Sequence, residues 1–316
     1  MRIRLLAATG AVLSATLLTA ACGSDTSSDD AVGAGAAKTV SVTVEGVGQV
    51  TTDTALAAKL PGDIRDKGSI VVATNAPYEP FIDFAVEGQT DKFKGLDHDL
   101  MQAAGAKLGI ETTFLQQPFD GLVPGLQAGK YDAIAGGITD KKERQQVATF
   151  VDYSASGTGF LVLPAAAAQV KGVADLCGKR VAVQKASNQA KHLADYSKSS
   201  CAGRAIDVKE YPDNPQTVTA LLAGNVDAVA ATKTNLVDTA EQQAGKVVLV
   251  EDPTNPNGWL ASPNGFGFSK SRGDLATAYQ AAVQALIDDG TYGKILEQWK
   301  QKPIGITKAT IDQAVD

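Results

Sequence analysis

The stretch LQAGKYDAIA (126–135) returns later in the chain as LLAGNVDAVA (221–230), and this echo decides the fold. Each copy reads as the end of a helix closed by glycine, Gly129 or Gly224, running into a short apolar strand. Upstream of the first copy, SIVVAT (69–74) is β-branched and reads as a strand. Leu96, Leu100, Met101, Ala104 and Leu108 recur at helical spacing, and Gly109 ends that helix. ETTFLQ (111–116) is a strand, FDGLVPGLQAG (119–129) a short helix and YDAIAG (131–136) a third strand. The second half repeats the plan. RVAVQ (180–184), AIDVKEY (205–211), VDAVAA (226–231) and KVVLVE (246–251) read as strands, with helices over 188–197 and in TVTALLAG (217–224). Strand and helix alternating over short connections predict an α/β protein of two similar lobes, each built on a parallel sheet.

The lobes are expected to span 61–160 plus 266–316 and 161–265. GTGFLVLP (157–164) carries the chain across and GFGFS (265–269) brings it back. The last helices, bearing Leu275, Tyr279, Ala282, Val283, Leu286, Ile295, Leu296 and Trp299, then pack on lobe 1. Such a topology turns strand C-termini and helix N-termini toward a cleft, where open α/β sheets bind ligands.

The N-terminus carries Arg2 and Arg4, an apolar run from Leu5 to Leu18 and Thr19-Ala20-Ala21 before Cys22. Residues 1–21 read as a secretory signal, the apolar run being too short to cross a bilayer. A cysteine directly after the cut resembles a lipoprotein box, so Cys22 is expected to carry a lipid that anchors the protein outside the cytoplasm. The usual leucine three positions before the cysteine is Thr19 here, and plain signal-peptidase cleavage is the alternative. GSDTSSDDAVGAGAA (23–37) is small, polar and acidic, so 22–60 is expected to be a flexible tether. TVSVTVEGVGQV (39–50) alternates valine with polar residues and also suits a strand.

Loss of the signal removes two arginines and no acid, moving the formal charge from −6 to −8. A chain this acidic, with no basic stripe, is not expected to bind nucleic acid. His98 and His192 stand far apart without cysteines at ligand spacing, so no metal site is expected. With Cys22 set aside, Cys177 and Cys201 form an even pair in an oxidising compartment, which predicts a disulfide.

AGGITDKKERQQ (135–146) is the sharpest local signal. Asp140 with Glu143 three residues on has the form of a capping box, predicting a helix from Lys141. The N–H groups of Gly137, Thr139 and their neighbours would then point outward and favour an anion. Arg144, one turn in, can bring a bidentate fork to the same point. A capped surface helix with a solvated arginine satisfies the pattern equally well.

Six motifs in order set the context: GSIVVATNAPYEPF, GLDHDLMQAAGAKLG, GLVPGLQAGKYDAIAGGITDKKERQQVATFVDY, DLCGKRVAVQKASNQ, LLAGNVDA and LIDDGTYGKILEQW. Over roughly 60–302 the chain resembles the amino-acid-binding proteins of ABC importers, the extracellular solute-binding proteins of family 3. The resemblance implies a two-lobed, type II periplasmic-binding-protein fold whose lobes, joined by two hinge strands, close on a small ligand. It implies a monomer that needs no cofactor and docks on a permease with its ATPase subunits. Site roles follow from the same resemblance. Tyr78 would stack on the ligand, Asn75 make a polar contact and Phe119 form an apolar wall. Gly136, Gly137 and Thr139 would contribute backbone and hydroxyl contacts, and Arg144 would bind the carboxylate. Ala186, Ser187 and Asn188 would close over that carboxylate from lobe 2. Plain packing for Tyr78 and Phe119, and an N-cap for Ser187, fit the same residues.

One position departs from the family. Members that bind α-amino acids carry an aspartate five residues past the Asp of the G-x-x-D-A motif, and counting from Asp227 gives Thr232. A buried ammonium needs a carboxylate. Either Glu79 or Glu210 supplies one, or the ligand is a betaine, an ectoine-like solute, an N-substituted amino acid or a simple carboxylate. Two other function classes share the resemblance, a cyclohexadienyl-dehydratase-like enzyme and a ligand-sensing ectodomain. The first needs a positioned acid or base, and Tyr78, Thr139, Arg144, Ser187 and Thr232 include neither carboxylate nor imidazole. The second needs a separate receptor.

Overall fold

The computed structural model describes residues 39–315. The expected signal region, Cys22 and the acidic stretch up to residue 38 lie outside the described residues. From Ser41 the chain is folded, which corrects the tether expected over 22–60. Strands β1 (Ser41–Val44) and β2 (Gly48–Thr51) pair as an antiparallel hairpin, followed by α1 (Thr54–Ala57) and α2 (Gly62–Lys67). Val44, Val50, Leu56, Leu60 and Ile64 are buried in the core of lobe 1. Alternating valines make a stable hairpin only when their apolar face has a partner. Here the partner is the next long helix, to which Asp53 N also bonds at Lys107 O (2.9 Å).

Lobe 1 continues with β3 (Ser69–Thr74), a small hairpin of β4 (Asp83–Phe84) and β5 (Phe93–Lys94), and α3 (Leu96–Leu108). Next come β6 (Glu111–Gln116), α4 (Phe119–Gln127), β7 (Ala133–Ile134) and the single turn α5 (Lys142–Gln145). β3 pairs parallel to both β6 and β7, as the alternation predicts. The long strand β8 (Ala148–Val162) then leaves the lobe.

Lobe 2 holds β9 (Arg180–Gln184), α6 (Asn188–Ser200), β10 (Asp207–Tyr211) and α7 (Asn214–Leu222). It ends with β11 (Ala228–Thr232), α8 (Lys233–Gln242) and β12 (Val248–Leu249). β9 pairs parallel to β10 and β11. The sequence echo has a matching hydrogen bond in each lobe. Asp132 Oδ2 accepts from Val71 N of β3 at 2.9 Å, and Asp227 Oδ2 accepts from Arg180 N of β9 at 2.8 Å. In both, the carboxylate pins the start of one strand to its parallel neighbour. The Cys177–Cys201 disulfide is formed, with Cα atoms 5.3 Å apart and a sequence separation of 24 between partners. In the chain-entropy picture a loop of that length contributes about 3 kcal/mol.

Strand β13 (Trp259–Ser269) returns the chain to lobe 1, antiparallel to β8. These two strands join the lobes into one continuous sheet, ordered β10-β9-β11-β8-β13-β7-β3-β6, with β12 also on β8. Val151 and Tyr153 belong to the lobe 1 core, whereas Phe160 and Val162 belong to that of lobe 2. The crossing therefore lies around Ser154–Thr158. There Gly157 and Gly258 meet backbone to backbone; a Cβ on Gly157 would sit 2.4 Å from the Gly258 carbonyl carbon. The chain closes with α9 (Gly273–Asp288), α10 (Thr291–Gln298) and β14 (Gly305–Ile311), which pairs with β8. Trp299 Nε1 donates to Asp99 Oδ2 of α3 at 2.8 Å, fixing this end to lobe 1.

Candidate functional site

Arg144 lies on α5, beside the last strand of lobe 1 before the crossing. The local structure differs from the expected capping box. Lys141 is extended, the helix starts at Lys142, and no side chain caps it. Asp140 is engaged from the other end of the turn, where Gln145 Nε2 donates to its two oxygens at 2.8 and 3.0 Å. The pattern D-x-x-E was present, but the amide one residue past Arg144 took the carboxylate.

What this places at Arg144 suits an anion grip. The side chain is 7% exposed, and its guanidinium carbon stands 5.4 Å from the centre of the Phe119 ring. Nη1 donates to Thr139 O at 2.8 Å, holding the side chain against its own loop. Nη2 reaches Ala186 O of lobe 2 at 3.4 Å. Phe119, Arg144 and Ala186 line one cavity of about 380 Å3 together with Lys141 and Ile138. Across the cleft Ala186 takes a positive φ of 60°, and Ser187 Oγ caps α6 by accepting from Ala190 N at 3.2 Å. Asn188, the first residue of α6, is buried beside His192 (3.5 Å), and its Oδ1 meets no donor among the described residues.

Gly136 and Gly137 do not present free N–H groups to the cleft, contrary to expectation. Both donate to Asp97 Oδ2, at 2.7 and 2.9 Å, while Tyr153 Oη donates to Asp97 Oδ1 at 2.5 Å. Both glycines have positive φ, and a Cβ on Gly137 would stand 2.7 Å from the Phe81 ring. The glycines are thus needed for a turn wrapped around a buried carboxylate. Burial pushes Asp97 up to about 6, against the pull of Tyr153 and the two N–H groups.

Asn75, Tyr78 and Thr232 meet at the interlobe seam. Asn75 Oδ1 accepts from Gln184 Nε2 of lobe 2 at 2.7 Å, and its Nδ2 donates to Gln117 O at 3.2 Å. Tyr78 stacks on Phe81, with ring centres 6.0 Å apart, and its hydroxyl accepts from Thr232 N at 3.1 Å. Burial raises the pKa of that phenol. Gln116 fastens the loop by accepting from Ala76 N and donating to Ala76 O. Tyr78 lines a second cavity, of about 300 Å3, with Glu79, Asn214 and Asn235. Of the two candidate acids, Glu79 is half-buried there, with its carboxylate accepting from Gln242, and burial raises its pKa. Glu210 is exposed on β10, away from either cavity.

Of the expected residues, Phe119, Arg144 and Ala186 line one cavity and Tyr78 the other, while Asn75, Thr139, Ser187, Asn188 and Thr232 line neither. Sequence reasoning missed Gln184, Asn214, Asn235 and Asp97. Gln184 ends a strand on the cleft side, which is a readable signal. Asn235 lies in the first turn of α8, donates to Glu79 O at 2.6 Å and accepts from Asn214 at 2.8 Å. Among the described residues no group of three or more His, Cys, Asp or Glu could hold a metal, and no helix is long and apolar enough to cross a membrane.

Comparison with known proteins identifies the fold and the family. The arginine-binding protein ArgT of Corynebacterium glutamicum is 30% identical over 261 residues, covering 82% of this chain and 81% of ArgT. The histidine-binding periplasmic protein of Salmonella typhimurium is 28% identical over 252 residues, covering 78% of this chain and 90% of that protein. Among solved structures, an ancestral arginine-binding protein bound to arginine superposes with a TM-score of 0.65 at 29% identity, over 73% of this chain and 98% of its own. An ancestral amino acid-binding protein, a precursor of cyclohexadienyl dehydratase, gives 0.62 at 27% identity, over 75% and 97%. These neighbours share the two-lobed α/β architecture. The profile of bacterial extracellular solute-binding proteins, family 3, matches residues 70–302, and the chain belongs to that family.

Proposed function

We propose that this protein is the extracytoplasmic solute-binding component of an ABC importer and takes an amino acid or an amino-acid-like small carboxylate. The observation that carries this reading is Arg144. It is buried, stacked near Phe119, fixed by its own loop and extended to a carbonyl of the opposite lobe. A guanidinium so placed binds a carboxylate bidentately at the point where the lobes meet. Lobe closure excludes water and strengthens each contact in the lower dielectric. The names of the similar proteins, binders of arginine and histidine, support a ligand of this class.

Thr232 sharpens the question of which carboxylate. Its N–H serves Tyr78, and its side chain supplies no charge for an ammonium. Glu79, in the Tyr78 cavity, is the better placed of the two candidate acids. The test is a thermal-shift screen pairing free amino acids with betaines, ectoine-like solutes and N-methylated amino acids. Saturation at a hundredfold over Kd stabilises by about 2.7 kcal/mol, or roughly 5–10 °C in a domain of this size. Carboxylates are expected to raise Tm and their amides to leave it unchanged. A response to the amides equal to that of the acids removes the anion grip.

Cys22 is proposed as the lipid attachment site, keeping the monomeric protein near its permease at high local concentration. Cys22→Ser should move the protein from the membrane fraction to the soluble one. Retention of the variant in membranes places the anchor elsewhere.

A further inference from the structure

Beside α5, on the hinge strand rather than in the cleft, two aspartates meet. Asp140 and Asp152 are 0 and 2% exposed, both lie against strand β13, where Asp140 N bonds Pro263 O and Asp152 pairs with Gly265, and each carboxyl feels the other. Asp140 is held on three sides. Its N–H donates to Pro263 O of β13, its carbonyl accepts from Ser262 Oγ, and its carboxyl accepts from Gln145. Asp152, on β8, uses Oδ2 to accept from Thr310 Oγ1 and Gln313 N, both at 3.2 Å. Its other oxygen, Oδ1, is buried and meets no donor among the described residues.

A buried acceptor without a donor is costly. Two adjacent carboxylates add repulsion in a low dielectric. One proton removes both penalties, because it supplies the missing donor and cancels one charge. The surroundings do not favour the fully ionised form. Asp312, at the end of β14, adds negative potential to both acids, and Lys270 answers that charge directly at 2.9 Å. Gln145, Thr310 and the N–H groups of Gln313 and Ala314 are neutral donors that favour the ionised form, but burial outweighs them.

We propose that Asp140 and Asp152 share one proton at neutral pH, a latch that holds β14 and the chain entering α5 against hinge strand β8. Burial is the main force raising both acids, Asp140 to about 6 and Asp152 to about 7, the latter helped by the charge of Asp140. The unfolded chain releases these protons near pH 4. The native state therefore binds more protons between about pH 4 and about pH 7. In that window stability falls as pH rises, and it levels off above.

Asp152→Asn tests this, since the amide can donate to Asp140 permanently while its oxygen still faces Thr310 and Gln313. Tm of the full chain is measured for wild type and variant from about pH 5 to about pH 8. The variant should gain on wild type up to about pH 7 and then hold a constant lead. A difference that does not change with pH overturns the proposal. Asp97→Asn, which removes another raised acid of lobe 1, should keep the wild-type contribution of the pair. Should Asp152→Asn fail to fold, infrared spectroscopy of 13C-aspartate-labelled Asp97→Asn protein decides the matter. A protonated carboxyl band at about pH 6.5 that disappears by about pH 8.5 supports the latch, and its absence refutes it.

Discussion

Arg144→Ala should weaken ligand binding at least about thirtyfold while the protein still folds. Removing one partner of a buried, hydrogen-bonded charge pair costs about 2–5 kcal/mol, and each 1.4 kcal/mol is a factor of about ten. The native protein loses much less. It gives up the hydrogen bonds to Thr139 O and Ala186 O and the contact with the Phe119 ring, a net loss of about 1–2 kcal/mol. Arg144→Lys separates charge from shape: it keeps the cation but not the planar fork, so affinity should fall between the other two proteins. Isothermal titration with the best carboxylate from the thermal screen is the measurement. Binding of the alanine variant within about threefold of wild type would place the anion elsewhere.

Asp97→Ala should be the most destabilising substitution near the cleft, by about 3–5 kcal/mol at neutral pH. It leaves Gly136 N, Gly137 N and Tyr153 Oη without an acceptor in a site closed to water, and each orphaned donor costs about 1–3 kcal/mol. The carboxylate's own desolvation offsets part of this. Its pKa, raised to about 6, means that the native protein holds the Asp97 proton more tightly than the unfolded chain. Between about pH 4 and about pH 6 this group makes stability fall as pH rises, and above that it contributes no slope. Calorimetry of Asp97→Ala should show Tm lower by roughly 10 °C at pH 7. The gap should differ in size near pH 6, where wild-type Asp97 is half protonated: it widens there, because wild type regains the stability lost on ionisation and the variant does not. An unchanged Tm would mean that the Gly136–Gly137 turn satisfies itself without the acid. Because Gly136 and Gly137 sit between Thr74 and Phe81, a loosened turn should also weaken binding.

The parts legible in the sequence are those whose partners are close along the chain. The helix-glycine-strand echo around Asp132 and Asp227 needs only local periodicity, and the lobes follow from it. Arg144 and Phe119 stand close in the fold because α4 and α5 flank one short strand. The parts that escaped depend on distant encounters. Asp97 is bound by Gly136, Gly137 and Tyr153, which lie 39 to 56 residues away. Tyr78 meets Thr232 across 154 residues. The hairpin at 41–51 read as tether because its alternating valines have no reason to fold until α3 covers them. Strand β14 was missed because the apolar pattern read for the last helices ends at Trp299, and GITKATI (305–311) alternates only weakly. Asp140 shows the opposite error. Its local pattern matched a cap, but Gln145 and the hinge strands claimed the side chain instead.

The β1–β2 hairpin has a mechanical consequence. Residue 39 leads into a hairpin that, among the described residues, packs on lobe 1. A pull on that leading segment loads lobe 1 and reaches lobe 2 only through β8 and β13. A load applied ahead of residue 39 therefore meets lobe 1 as the fixed body, and lobe 2 as the part joined to it through two strands.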